Sequence, residues 1–337
     1  MTDKPKKKPT SFDVAKLAGV HRSQVSRAFS DQGHIAEDTR ERVLEAAKQL
    51  GYRVNFLARS LQTNSSKLVG IVASRLDTSY RAALVHATTR ELQSHGYTPV
   101  LVTADSGEDA RGLTEKLLNY SVSGMIITSG TPPSQIIEEC ARWNVPVVMV
   151  NRDPDVSGAD KVLIDLDAAG KLAFDMLANR GGRHFAVLQP EEHTYSVFGR
   201  AQAFVRACEA AGAPVEVITG VTQTYQAGLE ASDRFAALGT VDSVFATSDL
   251  GAIGFLDGLK LRHNISVPDE VQVVGFDDIA EASWIGNDLS TIRQPFESAA
   301  KDAVALMLKR LETPNHAPVI ARIQLEPIFR GTTRAET

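Results

Sequence analysis

Residues 11–29 have the pattern of two short helices joined by a tight turn. Gly19 ends one apolar stripe at helical spacing, and a second stripe follows it. Two helices that pack at an angle across such a turn form a helix-turn-helix, which limits this segment to a small helical bundle. The first stripe consists of Val14, Ala15, Leu17 and Ala18, and the second of Val25, Ala28 and Phe29.

The outward face of the second helix is rich in hydrogen-bonding side chains. Arginine pairs bidentately with the edge of guanine, and Ser and Gln side chains bond bases or phosphates. This face therefore predicts a recognition helix for the major groove of DNA. Its members are Arg22, Ser23, Gln24, Ser26 and Arg27.

The boundaries of the bundle also follow from local signals. Thr10 with Asp13 three residues later resembles a capping box, with Asp in place of the usual Glu or Gln. A third helix is predicted over residues 37–50, where Gly51 provides the stop signal. The residues predicted to face inward on this helix are Val43, Leu44, Ala47 and Leu50.

Charge separates the bundle from the rest of the chain. Residues 1–67 hold 13 Lys and Arg against 7 Asp and Glu, a net of +6, and the remainder has a net of −11. A basic head on an acidic body is expected when only the head faces phosphates. The charge therefore favours a DNA-binding domain at residues 10–54, after a disordered basic arm at 1–9, over a helical bundle without a DNA function.

After residue 67 the chain alternates between apolar strands and amphipathic helices. Two similar sets of strands indicate two lobes of parallel sheet with a cleft between them. We therefore predict a two-lobed α/β domain at residues 68–337. The predicted strands are 68–73, 99–103, 124–128 and 146–150 in the first set, and 185–188, 215–219, 243–247 and 271–276 in the second.

Polar residues at the ends of these strands are candidates for a ligand site. Ligands of such sheets bind beyond the carboxyl ends of the strands, so these side chains should converge on the cleft. The candidates are Arg75, Tyr80, Arg81, Asn151, Arg152, Arg200, Gln223, Ser248, Asp249 and Asp277.

Ordered motifs run along nearly the whole chain. They are Asp13-Val14-Ala15, Gly19-Val20, Val25-Ser26-Arg27, Gly51-Tyr52, Asn55 to Leu61, Gly275-Phe276-Asp277-Asp278-Ile279 and Ser290-Thr291-Ile292-Arg293-Gln294-Pro295. In this order they resemble the lactose/galactose repressor family of bacterial transcription regulators. The resemblance implies a body similar to periplasmic binding proteins, and a repressor that binds a pseudo-palindromic operator as a dimer under control of a small metabolite.

The resemblance also implies which head residues contact DNA. Residues that match Arg22, Ser23 and Arg27 contact major-groove bases in this family, and His34 and Asn55 also match residues that reach DNA. His21 stands where the family has a Ser that caps the recognition helix. The resulting candidates are Thr10, Arg22, Ser23, Gln24, Ser26, Arg27, His34, Asn55, Ala58 and Leu61.

Residues 55–67 are predicted to form a hinge helix and linker. The helical part, Asn55 to Thr63, is marginal in water on its own, because isolated helices shorter than roughly 12–15 residues are marginal. We expect it to order on DNA, where the resemblance implies that Leu61 is a wedge between base pairs in the minor groove. The alternative is an amphipathic linker in which Leu57 and Leu61 pack on the body.

Family correspondence implies effector contacts at some of the strand-end residues, and the chain departs from the family at others. Gln223 stands where an aromatic residue often stacks on the ligand, Arg75 where many members have Asp, and Arg81 where many have an aromatic residue. The implied contacts are at Asn151, Arg200, Ser248 and Asp277.

These departures raise the hypothesis that the effector is an anion. Arginine is the bidentate partner of carboxylate and phosphate, so a sugar acid, sugar phosphate or carboxylate would suit a cleft with Arg75, Arg81, Arg152 and Arg200. In the alternative, Arg75 and Arg81 point to solvent or pair with carboxylates, and Asp277 binds a neutral sugar hydroxyl.

Catalysis is not expected. Asp277 and Asp278 are adjacent at a strand end, so their side chains point in opposite directions and cannot flank one bond as acid and base. Neither a dinucleotide loop nor a phosphate loop is present. The His residues are scattered and Cys140 and Cys208 are far apart, so we predict no metal site and no cofactor.

A transport-type sugar-binding protein is the main alternative function. No apolar segment follows the basic run at residues 4–8, and no run of about 18 apolar residues occurs. We therefore expect no membrane association and a cytoplasmic protein at the bacterial nucleoid. Because one head contacts a half-site, specific binding favours a homodimer. Whether the ligand releases DNA or acts as corepressor is left open by the sequence.

Overall fold

The computed structural model describes residues 9–29, 34–53, 66–103, 107–128, 134–152 and 157–336, with the backbone alone at 107–111 and 134–136. Its contacts divide the chain into two units, residues 1–66 and 67–337.

The first unit is a three-helix head. Its apolar core includes Val14, Val25 and Val43, none more than 1% exposed. Gly19 and Gly51 adopt the left-handed conformation (φ 65° and 67°) that ends the first and third helices, as their positions predicted. The helices are α1 (Ser11–Ala18), α2 (Arg22–Ala28) and α3 (Glu37–Leu50).

Two leucines in the head do not face inward as the sequence pattern predicted. Leu17 is 51% exposed and Leu44 is 43% exposed. Each lies about a third of a turn from the centre of the buried face of its helix, because successive residues rotate by about 100°. The small residues Ala15 and Ala47 occupy the positions that face the core.

The first lobe of the second unit contains a six-stranded parallel sheet in the order β2-β1-β3-β4-β5-β11. Each predicted strand of the first set is present within one residue at either end, whereas β5 and β11 were not predicted. The strands are β1 (Leu68–Ala73), β2 (Thr98–Thr103), β3 (Gly124–Ile127), β4 (Val147–Val150), β5 (Asp160–Ile164) and β11 (Ile320–Ile323); the helices are α4 (Ser79–Ser94), α5 (Gly107–Asn119) and α6 (Ser134–Arg142).

The second lobe repeats this order as β7-β6-β8-β9-β10-β12, with the short β12 antiparallel to β10. The strands are β6 (Phe185–Leu188), β7 (Val215–Ile218), β8 (Ser243–Ala246), β9 (Gln272–Asp277), β10 (Ser290–Arg293) and β12 (Glu326–Ile328). The helices are α7 (Leu166–Ala178), α8 (Tyr195–Ala210), α9 (Tyr225–Ala236), α10 (Asp249–Arg262) and a 3₁₀ helix at Ala280–Ser283.

The chain passes between the lobes three times. It leaves the first lobe after β5, returns after β10 through α11 (Phe296–Glu312), and crosses again between β11 and β12. Helix α11 packs on α4 and on the first sheet. In both sheets the order reverses beside the first strand, which is where open parallel sheets bind ligands. The predicted two-lobed α/β fold is confirmed. Because the chain crosses between the lobes three times, the two sheets are parts of one domain.

Helices α9 and α10 touch through glycine backbone. A Cβ atom on Gly254 would lie 1.9 Å from the carbonyl oxygen of Tyr225, and one on Gly228 would lie 1.9 Å from that of Gly251. Helix α9 begins two residues after Gln223 and α10 begins immediately after Ser248. The glycine contact therefore sets the separation of two strand-end candidates.

We expect Gly254→Ala to destabilise the protein by about 1–3 kcal/mol, as overpacking does, because the methyl group forces the two helices apart. Gly112→Ala is the matched control, since Gly112 is also helical and has nothing within 4 Å of its Cβ position. The free energy of unfolding of Gly112→Ala should rise by about 0.5–1 kcal/mol, because Ala has a higher helix propensity than Gly. Urea unfolding gives the free energy of unfolding of both variants. Equal changes in the two variants would contradict the proposed close contact between α9 and α10.

Candidate functional site

The face predicted to contact DNA is displayed on α2 and its flanks. Arg22 is held against α1: its Nε donates to Ser11 Oγ at 3.2 Å, and its guanidinium carbon lies 5.1 Å from the centre of the Phe12 ring. Gln24 is partly buried. The exposed candidates are Thr10, Arg22, Ser23, Ser26, Arg27 and His34, while Asn55, Ala58 and Leu61 lie outside the described residues.

His21 caps the recognition helix in place of the serine of the family pattern. Its Nδ1 accepts the backbone N–H of Ser23 at 3.3 Å, and its own N–H donates to Gln24 Oε1 at 3.1 Å. These two bonds form a capping box, which satisfies N–H groups that a helix start leaves open. At the start of α1, Asp13 Oδ2 likewise accepts the Thr10 N–H at 2.8 Å.

A polar pocket lies between the two lobes of the second unit. The space between its lining residues is about 290 Å³, open solvent at the mouth included. Five of the ten predicted effector residues line it: Tyr80, Arg81, Gln223, Ser248 and Asp277. The remaining lining residues are Thr78, Ser79, Leu250 and Ile279.

Two hydrogen bonds join the lobes at this pocket. Arg81 Nη2 donates to Gln223 Oε1 at 3.0 Å, and Ser79 Oγ donates to Glu281 Oε1 at 2.8 Å. Both donors belong to the first turn of α4 in the first lobe, and both acceptors belong to the second lobe. The first turn of α4 therefore serves as one wall of the pocket and as one of the contacts between the lobes.

Asp277 forms the floor of the pocket with Arg200 behind it. The two side chains are 8% and 2% exposed, and Arg200 Nη1 lies 3.8 Å from Asp277 Oδ1. Burial raises the pKa of Asp277 to about 6, against the opposing effects of Arg200 and Arg81. Asp277 has φ 114°, so its backbone is held in a conformation that side chains rarely adopt. A buried, oriented carboxylate is suited to accepting hydrogen bonds from a ligand.

Five predicted effector residues do not line the pocket. Arg200 is buried and lies 3.8 Å from Asp277 instead. Asn151 donates to Gln294 Oε1 and accepts the Ile164 N–H, so both ends of its amide have protein partners. Asp249 accepts the Thr291 hydroxyl at 2.6 Å and the Ile279 N–H at 2.9 Å, which gives it a structural role. The other two residues outside the lining are Arg75 and Arg152.

Thr78 and Ser79 were not among the predicted residues, although the sequence carries a signal for them. Thr78 is the N-cap residue of α4, and Thr and Ser are favoured at helix starts. Ligands in such sheets approach helix N-termini at the strand ends, so both residues could have been included. Leu250 and Ile279 carried no comparable signal because apolar residues are common throughout these segments.

Asp278 is turned away from Asp277. Its carboxylate accepts Arg293 Nε at 2.8 Å and Arg330 Nη2 at 2.7 Å, which ties β10 to the C-terminal segment. Across the described ranges, no group of three His, Cys, Asp or Glu residues could hold a metal ion. No helix within them has both the length and the hydrophobicity needed to cross a membrane.

Comparisons with known proteins match both units. Residues 12–55 match the family described as bacterial regulatory proteins, lacI family, and residues 174–333 match the periplasmic binding protein-like domain. The ribose operon repressor of Bacillus subtilis is 30% identical over 331 residues, which cover 97% of this chain and 99% of the repressor. The chain belongs to the lacI family of bacterial regulatory proteins.

Other relatives of this lacI-family chain agree. The transcriptional repressor PurR of Vibrio parahaemolyticus is 28% identical and covers 96% of this chain and 98% of its own. A structure of the lac repressor dimer bound to operator and the anti-inducer ONPF shares the fold with a TM-score of 0.87, at 22% identity over 98% of this chain and 100% of that one. A CelR–cellobiose complex is 28% identical with a TM-score of 0.73 and covers 96% and 99%.

Family membership decides between the functional classes that the sequence suggested. The resemblance to lactose/galactose repressors is confirmed, and the chain is a transcriptional regulator rather than an enzyme. The transport-type alternative arose because the body does match the periplasmic binding protein-like domain, whereas the head matches the regulators.

Loss of the His21 cap should loosen α2. We expect His21→Ala to speed amide exchange over residues 21–28, because cap removal costs about 1 kcal/mol, a factor of roughly five in local opening. His21→Ser restores a side-chain acceptor and should restore protection. Hydrogen–deuterium exchange mass spectrometry of the full chain measures this, and unchanged exchange in His21→Ala would show that the cap is dispensable.

Asp249 should make stability depend on pH. Burial, followed by the charge of Asp277, raises the pKa of Asp249 to about 7. The folded protein then binds a proton that the unfolded chain releases above about pH 4, so stability falls as pH rises from about 4 to about 7.

The variant Asp249→Asn should reduce this loss of stability, because an amide accepts the Ile279 N–H and donates to the Thr291 hydroxyl without titrating. A smaller slope remains, since the raised pKa of Asp277 has the same sign. Asp167→Asn, whose carboxyl is 83% exposed, is the control. Urea midpoints at pH 5 and pH 7.5 test this, and an unchanged slope in Asp249→Asn would contradict it.

Proposed function

We propose that this protein is a repressor that binds a pseudo-palindromic operator as a dimer and changes its DNA affinity when a small polar metabolite occupies the interlobe pocket. The observation that carries the proposal is the pocket itself, in which Arg81 and Gln223 join the lobes beside the buried Asp277. A ligand there contacts both lobes at once, so its binding free energy acts on their relative position.

On this proposal the head contacts DNA mainly through α2. Arg22 pairs with a guanine edge in the major groove and is pre-positioned by Ser11 and Phe12. Ser23, Ser26 and Arg27 are exposed on the same helix and supply further base or phosphate contacts. Thr10, Gln24 and His34 complete the contact surface in the described part of the head.

The domain boundaries proposed are a basic arm at 1–9, the head at 10–54, a hinge helix and linker at 55–67, and the effector and dimerisation domain at 68–337. The division of contacts between Ser66 and Lys67 supports the last boundary. Asn55, Ala58 and Leu61 are proposed as minor-groove residues on the basis of the family resemblance alone.

The body supplies the dimer contact in this proposal. Two heads about one helical turn apart require two chains, and the second lobe exposes adjacent large apolar residues. Trp284 is 60% exposed and Ile285 is fully exposed. Exposed apolar side chains of this size are typical of protein interfaces.

Relatives with bound ligands favour a sugar or sugar derivative as the effector. CelR has been solved with cellobiose, and a lacI-family regulator from Enterococcus faecalis has been solved with ribose. We propose an effector of this chemical class, acting in the cytoplasm at the nucleoid. Both inducer and corepressor action are compatible with the pocket, and in either case DNA must change effector affinity by the same factor as the effector changes DNA affinity.

The proposal is tested by binding to DNA fragments from around the gene, at fixed salt with nonspecific competitor. We expect a specific complex with two chains per site. Arg22→Ala should weaken it by at least about 30-fold, because both heads of the dimer lose a bidentate base contact of about 1–3 kcal/mol each.

The matched variant Asp277→Asn should retain the complex and lose the response to effector. Circular dichroism provides the folding control for both variants. Absence of any specific complex, both without and with candidate metabolites added, would refute the repressor. Equal loss of effector-independent DNA binding and of the effector response in either folded variant would refute the division of labour between head and body.

A further inference from the structure

Arg81 is a cation placed between the two lobes with no carboxylate of the described residues in direct ion-pair contact. Its Nη2 donates to the neutral Gln223, whereas its buried Nη1 has no hydrogen-bond partner among the described residues. No ion pair of Arg81 with a described carboxylate lies within 4.0 Å. A buried charge without a partner is costly, so a binding partner that supplies negative charge relieves the cost.

The surroundings of Arg81 increase this cost. Burial lowers the pKa of Arg81 most, Arg75 lowers it further, and Arg200 adds to the effect. Asp277 and Asp77 act in the opposite direction. Asp277, however, already faces Arg200 at 3.8 Å, so the positive charge at this wall is not fully balanced by the protein.

The backbone around Arg81 also favours an anion. Arg81 lies in the first turn of α4, a 16-residue helix whose N-terminus has no side-chain hydrogen-bond cap. Open N–H groups and the positive end of the helix dipole attract negative groups there. The arginine and the helix start therefore act on the same position.

The opposite wall of the pocket favours hydroxyl groups. Asp277 is a buried acceptor, and Gln223 and Ser248 offer further polar atoms. These groups and Arg81 line one small pocket, so a ligand that reaches both walls is itself small. We infer that the effector is a small polyhydroxylated anion, with its carboxylate or phosphate at Arg81 and the first turn of α4, and its hydroxyls at Asp277. This inference rests on the proposed effector function of the pocket.

A neutral sugar would leave the Arg81 charge unpaired in the occupied pocket, and additional closure would bury it further. A carboxylate or phosphate instead forms charge-assisted bonds with Nη1, which are stronger than bonds between neutral groups. Arg81 therefore makes the pocket bind a sugar acid or sugar phosphate more tightly than the neutral parent sugar.

The first test needs no ligand. We expect Arg81→Met to raise the thermal midpoint of the ligand-free protein by about 2–4 °C, because it removes an unpaired charge and keeps the apolar stem. Arg262→Met is the matched control, since Arg262 is 42% exposed and pairs with Asp233 at 2.9 Å, and its midpoint should stay within about 1 °C. An unchanged or lower midpoint in Arg81→Met overturns the inference.

The second test compares acids with their neutral parents by thermal shift on the wild-type protein. The probes are D-gluconate, D-glucuronate and D-glucose 6-phosphate against D-glucose, D-ribose 5-phosphate against D-ribose, and inorganic phosphate alone. We expect an anionic probe to raise the midpoint, its neutral parent to leave it unchanged, and Arg81→Met to lose at least about tenfold in affinity for that probe.

The outcomes separate this inference from the proposed function. A neutral parent that stabilises the protein as strongly as its acid overturns the anionic effector and leaves the sugar-responsive repressor intact. A shift by a carboxylate but not a phosphate, or the reverse, supports the inference and identifies the group. If no probe shifts the midpoint, the thermal midpoint of ligand-free Arg81→Met decides. A rise supports an unpaired charge at Arg81, and the absence of a rise overturns the inference. Failure of the operator-binding experiment, in contrast, counts against the repressor itself.

Discussion

Arg200 joins three elements of the second lobe beneath the pocket. From helix α8 it donates to the carbonyl of Thr247 after β8, and its guanidinium carbon lies 4.0 Å from the centre of the Phe276 ring on β9. Its third contact is the ion pair with Asp277 at the end of the same strand. A buried guanidinium is tolerated only when such contacts replace the lost water, so the positions of all three elements depend on one another. The orientation of Asp277 follows from this arrangement.

Much of the fold follows from the sequence pattern because buried parallel strands are continuous apolar runs and the head helices have clear stops. The strands that escaped prediction lie toward the edge of each sheet. β10 consists of Ser290–Arg293 and β12 contains Pro327, so neither carries the apolar run that marks a central strand. The predicted burial of Leu17 and Leu44 was wrong because the hydrophobicity of a residue does not fix its angle around the helix.

Only part of the candidate site was predictable from the sequence. Position after a strand predicts the edge of the sheet at which a residue lies, but not the partner that its side chain finds there. Asn151 and Asp249 both follow strands, yet each is bonded to neighbouring loops and strands. Tyr80, Arg81, Gln223, Ser248 and Asp277 meet at the pocket because their elements start or end beside it. His21, which stands where the family pattern has Ser, still caps its helix, because an imidazole nitrogen can accept the backbone hydrogen bond that a hydroxyl oxygen would accept.

The three passages between the lobes restrict how the pocket can change shape. They leave from neighbouring strands, because β5 lies beside β11 in one sheet and β10 beside β12 in the other. Arg322 Nη1 also donates to the carbonyl of Ile164 at 3.3 Å, which holds two of the passages together. A single connecting strand would let one lobe swivel freely, whereas three side by side resist torsion and leave bending as the soft motion. We therefore expect the two lobes to separate at the pocket by bending at the three passages, without rotating relative to each other.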